Sequence, residues 1–120
     1  MNYQISNVDK HQDTRGWICG HFFPPGNLLK TNNLEVKYSK MMPGETSPEH
    51  FHPFGEEIML IIEGKIRLIL DGKEHLLQTG DFVFQQANVK ETLSEIIEPT
   101  IIVSIRTPSL PNNKVIVDKK

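Results

Sequence analysis

The stretch Gly44-Glu45-Thr46-Ser47-Pro48-Glu49-His50-Phe51-His52-Pro53-Phe54-Gly55-Glu56-Glu57-Ile58-Met59-Leu60-Ile61-Ile62-Glu63-Gly64 decides how this sequence is read. In an extended chain, residues i and i+2 share a face, so His50 and His52 present two imidazoles together. Pro53 and Gly55 mark a turn, and Glu57 opens the next strand. A neighbouring strand can bring that carboxylate alongside the two imidazoles. Two histidines and one carboxylate on one face form the donor set of the facial triad, which favours Fe(II) and also suits Mn, Ni, Co or Zn. Met59 and Ile61 share parity with Glu57 and point the same way, into the interior if Glu57 does.

Working outward, most periodic segments have a period near two. Leu34, Val36 and Tyr38 alternate with Glu35, Lys37 and Ser39, and Ile66, Leu68 and Leu70 alternate with Lys65, Arg67 and Ile69. These read as half-buried strands. Asp71-Gly72 lies between two such runs and predicts a hairpin, because both residues tolerate the positive φ of a type I′ turn. Further strands are expected over 82–84, 92–97, 100–105 and 114–117. No segment carries a helical stripe. Roughly nine short strands with frequent turns predict an all-β sandwich or barrel.

The chain has 120 residues and 38% hydrophobic content, enough for one domain with its own core. We therefore expect a single domain over residues 1–120. Its net charge of -2, with no block of like charges, gives no support for nucleic acid or an anionic membrane as partner. Cys19 is the only cysteine, so no intramolecular disulfide can form. The opening residues lack a charged-then-apolar leader pattern, and the longest apolar run, 58–62, is far too short to span a bilayer. The expectation is a cytoplasmic protein whose tail, Lys119 and Lys120, is solvated.

The segment from Gly44 to Gly64 resembles the first motif of the cupin family: Gly, five residues, His-x-His, a short gap, Glu, six residues, Gly. Glu57 keeps the spacing to Gly64, whereas Glu56 breaks it by one, and strand alternation forbids both from pointing inward. A looser version of the second cupin motif follows at Gly80-Asp81-Phe82-Val83-Phe84-Gln85-Gln86-Ala87-Asn88-Val89-Lys90-Glu91. Gln86 stands for the usual proline, Asn88 for the usual glycine and Glu91 for the usual histidine. Asn88 keeps a tolerance for left-handed backbone. The resemblance covers about Leu34 to Ile105 and implies a double-stranded β-helix, a jelly-roll barrel, with a divalent metal held by His50, His52, Glu57 and Glu91. If Glu91 ligates, the set is harder and more anionic than three histidines and a glutamate. If it turns outward, three protein ligands remain.

Glu57 and Glu91 are the candidate acid–base groups. Tyr38, Met59, Ile61 and Phe84 are candidates for the pocket wall. Arg106 could meet an anionic substrate, since arginine binds carboxylate and phosphate bidentately. Asp13-Thr14-Arg15-Gly16 reads as a turn in which Asp13 bonds nearby backbone. It also resembles the entry segment of cupins that isomerise or epimerise nucleotide-linked keto-sugars. The resemblance thus implies either a metal-dependent enzyme that oxygenates or isomerises a small polar metabolite, or a non-catalytic cupin that binds or senses a ligand. Pairing of exposed edge strands, near Trp17 or in the tail at Lys114–Val117, makes a homodimer the expected assembly.

Overall fold

The computed structural model describes residues 2–117. The tail at Lys119 and Lys120 lies outside the described residues. Eight strands form one curled antiparallel sheet: β1 (Trp17–Cys19), β2 (Glu35–Met41), β3 (His50–Phe51), β4 (Glu56–Leu70), β5 (Lys73–Gln78), β6 (Phe82–Gln85), β7 (Glu91–Thr107) and β8 (Val115–Ile116). β4 and β7 pair along almost their whole lengths and make the spine. β2 and β3 add to the other side of β7, while β5 and β6 add to β4. The sheet closes round a core of Met59, Ile61, Ile66, Leu68, Leu93, Ile96 and Ile102. Each buried Ile or Leu contributes roughly 1.5–3 kcal/mol relative to exposure.

The predicted hairpin is present. Asp71 and Gly72 have φ of 49° and 82° and turn β4 into β5. Asn88 also takes the left-handed conformation, with φ of 71°.

Two expectations are corrected. The predicted strands 92–97 and 100–105 are one strand, β7, which runs straight through Pro99. The ladder to β4 slips there: Lys65 faces Glu98 and Glu63 faces Ile101, so Pro99 and Thr100 oppose Gly64 alone. A proline without an N–H is tolerated at such a bulge. Thr100 Oγ1 accepts from Lys65 N at 3.1 Å, and a Cβ on Gly64 would lie 2.2 Å from that oxygen. The close approach explains the glycine. The second correction is a 3₁₀ helix over Val8–Thr14, which has no apolar stripe because it buries nothing. The expected turn follows it at Arg15 and Gly16, but Thr14 Oγ1, donating to a backbone carbonyl, makes the side-chain bond rather than Asp13. Among the described residues no helix is long and apolar enough to cross a membrane.

Candidate functional site

A cavity of about 200 Å³ opens at one end of the barrel. Strand register assembles its polar wall. His50 on β3 faces Glu91 on β7, and Glu57 on β4 lies between Arg106 on β7 and Gln85 on β6. Met41, Met59, Leu68, Leu93 and Ile102 form an apolar floor, and Trp17, Lys37, Ser39, Ser47, Ser104 and Lys114 complete the lining.

The two imidazoles are oriented by backbone carbonyls. His50 Nδ1 lies 2.9 Å from Pro48 O, and His52 Nδ1 lies 2.5 Å from Asn113 O. A carbonyl only accepts, so each Nδ1 carries the hydrogen and each Nε2 offers a lone pair. Such a bond on the far nitrogen is what orients metal-ligating histidines. The Asn113 side chain in turn clamps the turn after His52, accepting from Phe54 N and donating to Phe54 O, both at 2.9 Å.

Arg106 stands in the middle. Its Nη2 donates to Glu57 Oε2 at 2.6 Å and to His52 Nε2 at 2.8 Å, while Nη1 donates to Glu35 Oε2 at 2.6 Å. Its Nε is buried without a hydrogen-bond partner. Glu35 also accepts from Ser109 Oγ at 2.9 Å, and Ser109 Oγ meets His21 Nδ1 at 2.7 Å. On the other side Gln85 Nε2 donates to Glu91 Oε1 at 2.6 Å, and Glu91 Oε2 lies 3.5 Å from His50 Nε2.

Burial, reinforced by the charge of Arg106, lowers His52 to about 4, so its imidazole is neutral near pH 7. Burial raises Glu57 to about 7, against the opposing pull of Arg106. Burial also lowers Lys37, with help from the charges of Lys114, Arg15 and Arg106.

These residues fit a divalent cation in kind. Two imidazole nitrogens and two buried carboxylates are a suitable donor set. Of three buried carboxylates, Glu35 and Glu57 share one largely buried guanidinium and Glu91 has only the neutral amide of Gln85, leaving negative charge for a cation to balance. Arg106 already holds the Glu57–His52 corner, so the open pair is His50 and Glu91. Accordingly, among the described residues no three His, Cys, Asp or Glu side chains converge tightly enough to enclose a metal ion.

The predicted pocket wall needs correction. Met59 lines the cavity, but Tyr38, Ile61 and Phe84 do not. On β2 the inward residues are Lys37, Ser39 and Met41, so alternation turns Tyr38 outward. On β6, Gln85 is buried and Phe84 is 55% exposed. Ile61 lies in the core below the cavity. Arg106 lines the cavity as expected, yet both its terminal nitrogens are engaged by the protein. Sequence reasoning missed Glu35, Gln85, Ser109 and Asn113. Of these only Gln85 left a signal, as a polar residue sharing parity with Val83.

Residues 37–93 match the family model for a cupin domain. Tetracenomycin polyketide synthase protein TcmJ of Streptomyces glaucescens is 33% identical over 60 residues, which is 50% of this chain and 40% of that protein. The chain spans 40% or less of the length of the curated relatives it matches. A cupin protein from Bacteroides fragilis superposes with a TM-score of 0.71 at 24% identity, covering 100% of this chain and 92% of the other. DMSP lyase DddQ from Ruegeria pomeroyi superposes with a TM-score of 0.66 at 23% identity, covering 78% and 48%. At these identities the structural matches speak for the fold, a double-stranded β-helix.

Proposed function

From the match of residues 37–93 to the cupin-domain model and from the double-stranded β-helix fold, we propose that the chain is a cupin and a metal-dependent enzyme acting on a small polar metabolite. One observation carries this reading: both Nδ1–H groups are tied to backbone carbonyls, which turns the Nε2 atoms toward the buried carboxylates, that of His50 3.5 Å from Glu91 Oε2 and that of His52 accepting from Arg106. His50 and Glu91 would hold the cation, with His52 and Glu57 joining them if Arg106 yields its corner. Fe(II), Mn, Zn and Ni all suit these donors. When bound, the cation supplies Lewis acidity toward substrate oxygens, or redox chemistry if it is iron.

The remaining work falls to the chain. His52, neutral above about pH 4, directs its Nε2 lone pair at Arg106 and would turn it to the cation once that contact opens. Glu57, raised to about 7, can take up or release a proton near neutrality and is the better placed general base. Gln85 fixes Oε1 of Glu91 and leaves Oε2 toward His50. The apolar floor of Met41, Leu93 and Ile102 keeps water off the body of a substrate. Oxygenation and isomerisation, the latter of a sugar-related compound, are both compatible with this layout.

Metal analysis of freshly purified protein tests the proposal. About one equivalent of Fe, Mn, Zn or Ni is expected in the native chain and under a tenth of that in His50→Ala. A variant that loses the metal and keeps every detected activity would sink the mechanism.

The engagement of Arg106 favours a second reading, a binding or sensing cupin in which the guanidinium permanently neutralises the Glu57–His52 corner. Tight ligand binding by calorimetry, with the ligand unchanged by mass spectrometry, would select it. The proposal also keeps this single domain as a homodimer in the cytoplasm, where Cys19 stays a thiol. Light scattering at micromolar concentration should give twice the chain mass, and a monomer mass would refute the dimer.

A further inference from the structure

The mouth of the cavity carries a charge pattern that the acid–base groups do not use. Lys37 and Lys114 both line it. Lys37 projects inward from β2, opposite Ser104 on β7, and its ammonium lies 5.3 Å from the centroid of the Trp17 ring. That ring, itself part of the lining, holds the amine in place by a cation–π contact. Lys114 follows Asn113, whose carbonyl orients His52. Among the described residues neither lysine has a carboxylate within 4.0 Å.

The nearby acids are committed elsewhere. Glu35 and Glu57 bind Arg106, and Glu91 binds Gln85. The cations are instead close to one another: Lys37 feels the charges of Lys114, Arg15 and Arg106. Like charges gathered round one opening repel, and a half-buried ammonium is poorly hydrated. An anion placed between them relieves both costs, and a cation bound at His50 and Glu91 would strengthen the attraction.

We infer that Lys37 and Lys114 recognise the anionic head, a carboxylate or a phosphate, of a small organic ligand whose apolar body rests on Met41, Leu93 and Ile102. The inference rests on the reading of this cavity as the substrate site, and it names the substrate class. Lysine acts as a point charge and sets no fork geometry, so the head group is specified by charge rather than by shape. The cavity volume limits the ligand to a small metabolite. Arg106, with both ends engaged, acts behind the site and not on the ligand.

The test is binding of a panel of small carboxylates, each paired with its neutral amide, together with inorganic phosphate, followed by calorimetry and amide chemical shifts. Benzoate with benzamide and succinate with succinamide begin the panel. At least one anion is expected to bind tenfold or more above its neutral partner, with shifts at Ser39, Ser104 and Leu93. Preference for carboxylates or for phosphate identifies the head. Lys37→Met with Lys114→Met should abolish that preference, while the exposed pair Lys10→Met with Lys73→Met should leave it intact. No anion preference, or a preference that survives the Lys37/Lys114 double variant, overturns the inference. Repeating the titration on His50→Ala and on chelated protein separates the two readings. Anion preference that persists without metal leaves the lysine site standing even if the metal proposal fails. A metal-loaded protein with no anion preference fails the inference alone.

Discussion

Arg106 and Glu57 face one another across the β4–β7 ladder, and Nη2 of the first donates to Oε2 of the second at 2.6 Å. The same nitrogen reaches His52 Nε2, so one guanidinium satisfies two of the atoms a cation would need. Arg106→Met strips a buried partner from both Glu35 and Glu57. Removing one side of a buried ion pair costs about 3–5 kcal/mol. We expect urea unfolding to show a loss of that order, and added Mn or Zn to restore more stability in the variant than in the native chain. A variant as stable as the native chain would show that the guanidinium is not what balances these carboxylates.

With any cation chelated, Glu57 and His52 act on stability in opposite directions. Burial, against the pull of Arg106, raises Glu57 from 4.5 to about 7. Between those values the folded chain keeps a proton that the unfolded chain releases, so stability falls as pH rises. Burial, reinforced by Arg106, lowers His52 from 6.5 to about 4. There the unfolded chain binds the extra proton, so stability rises with pH. The two contributions oppose each other from 4.5 to 6.5. In that window the urea midpoint of Glu57→Gln should climb more steeply with pH than that of the native chain, and that of His52→Asn should fall relative to it. Parallel profiles for all three proteins would refute the assignment.

Glu91 stands opposite His50 with Oε2 3.5 Å from its Nε2. If it ligates, Glu91→Ala should weaken Mn binding tenfold or more by calorimetry, and Glu91→His should recover most of the loss, since imidazole is an equally good donor. Unchanged affinity in Glu91→Ala would remove Glu91 from the ligand set.

Asn113 holds His52 and the turn after it through three contacts. Asn113→Ala keeps the carbonyl on His52 but frees Phe54 N and O, costing about 1–3 kcal/mol if they stay buried. Disturbing the groups that orient a ligating histidine lowers metal affinity about 10–100-fold. Thermal unfolding and metal titration should therefore shift together in this variant. A stability loss with unaltered metal affinity would show that the turn does not position His52.

Much of the architecture was legible in local signals. Asp71-Gly72 specified its hairpin because few residue pairs accept two positive φ values. His50 and His52 shared a face because a strand repeats every two residues. Glu57 was separated from Glu56 by the same rule, and it is buried while Glu56 is exposed. Asn88 kept its left-handed turn.

Which face of a strand looks into the cavity was another matter. On β2 the sequence pattern pointed Tyr38 inward, yet Lys37 and Ser39 line the site. A core rewards apolar residues, but a binding cavity rewards polar ones, so the usual inside-outside pattern is inverted where function lies. The partners of the site are equally invisible in one dimension. Asn113 meets His52, and Arg106 meets Glu57 and Glu35, only because strand register and the C-terminal turn bring together residues some 50 to 70 positions apart. The sequence by itself determined a β-barrel of the double-stranded β-helix type and the two histidines of its candidate site. Only the tertiary structure decided that a guanidinium sits among the acids and that two lysines line the cavity, because those facts depend on register and closure rather than on any local propensity.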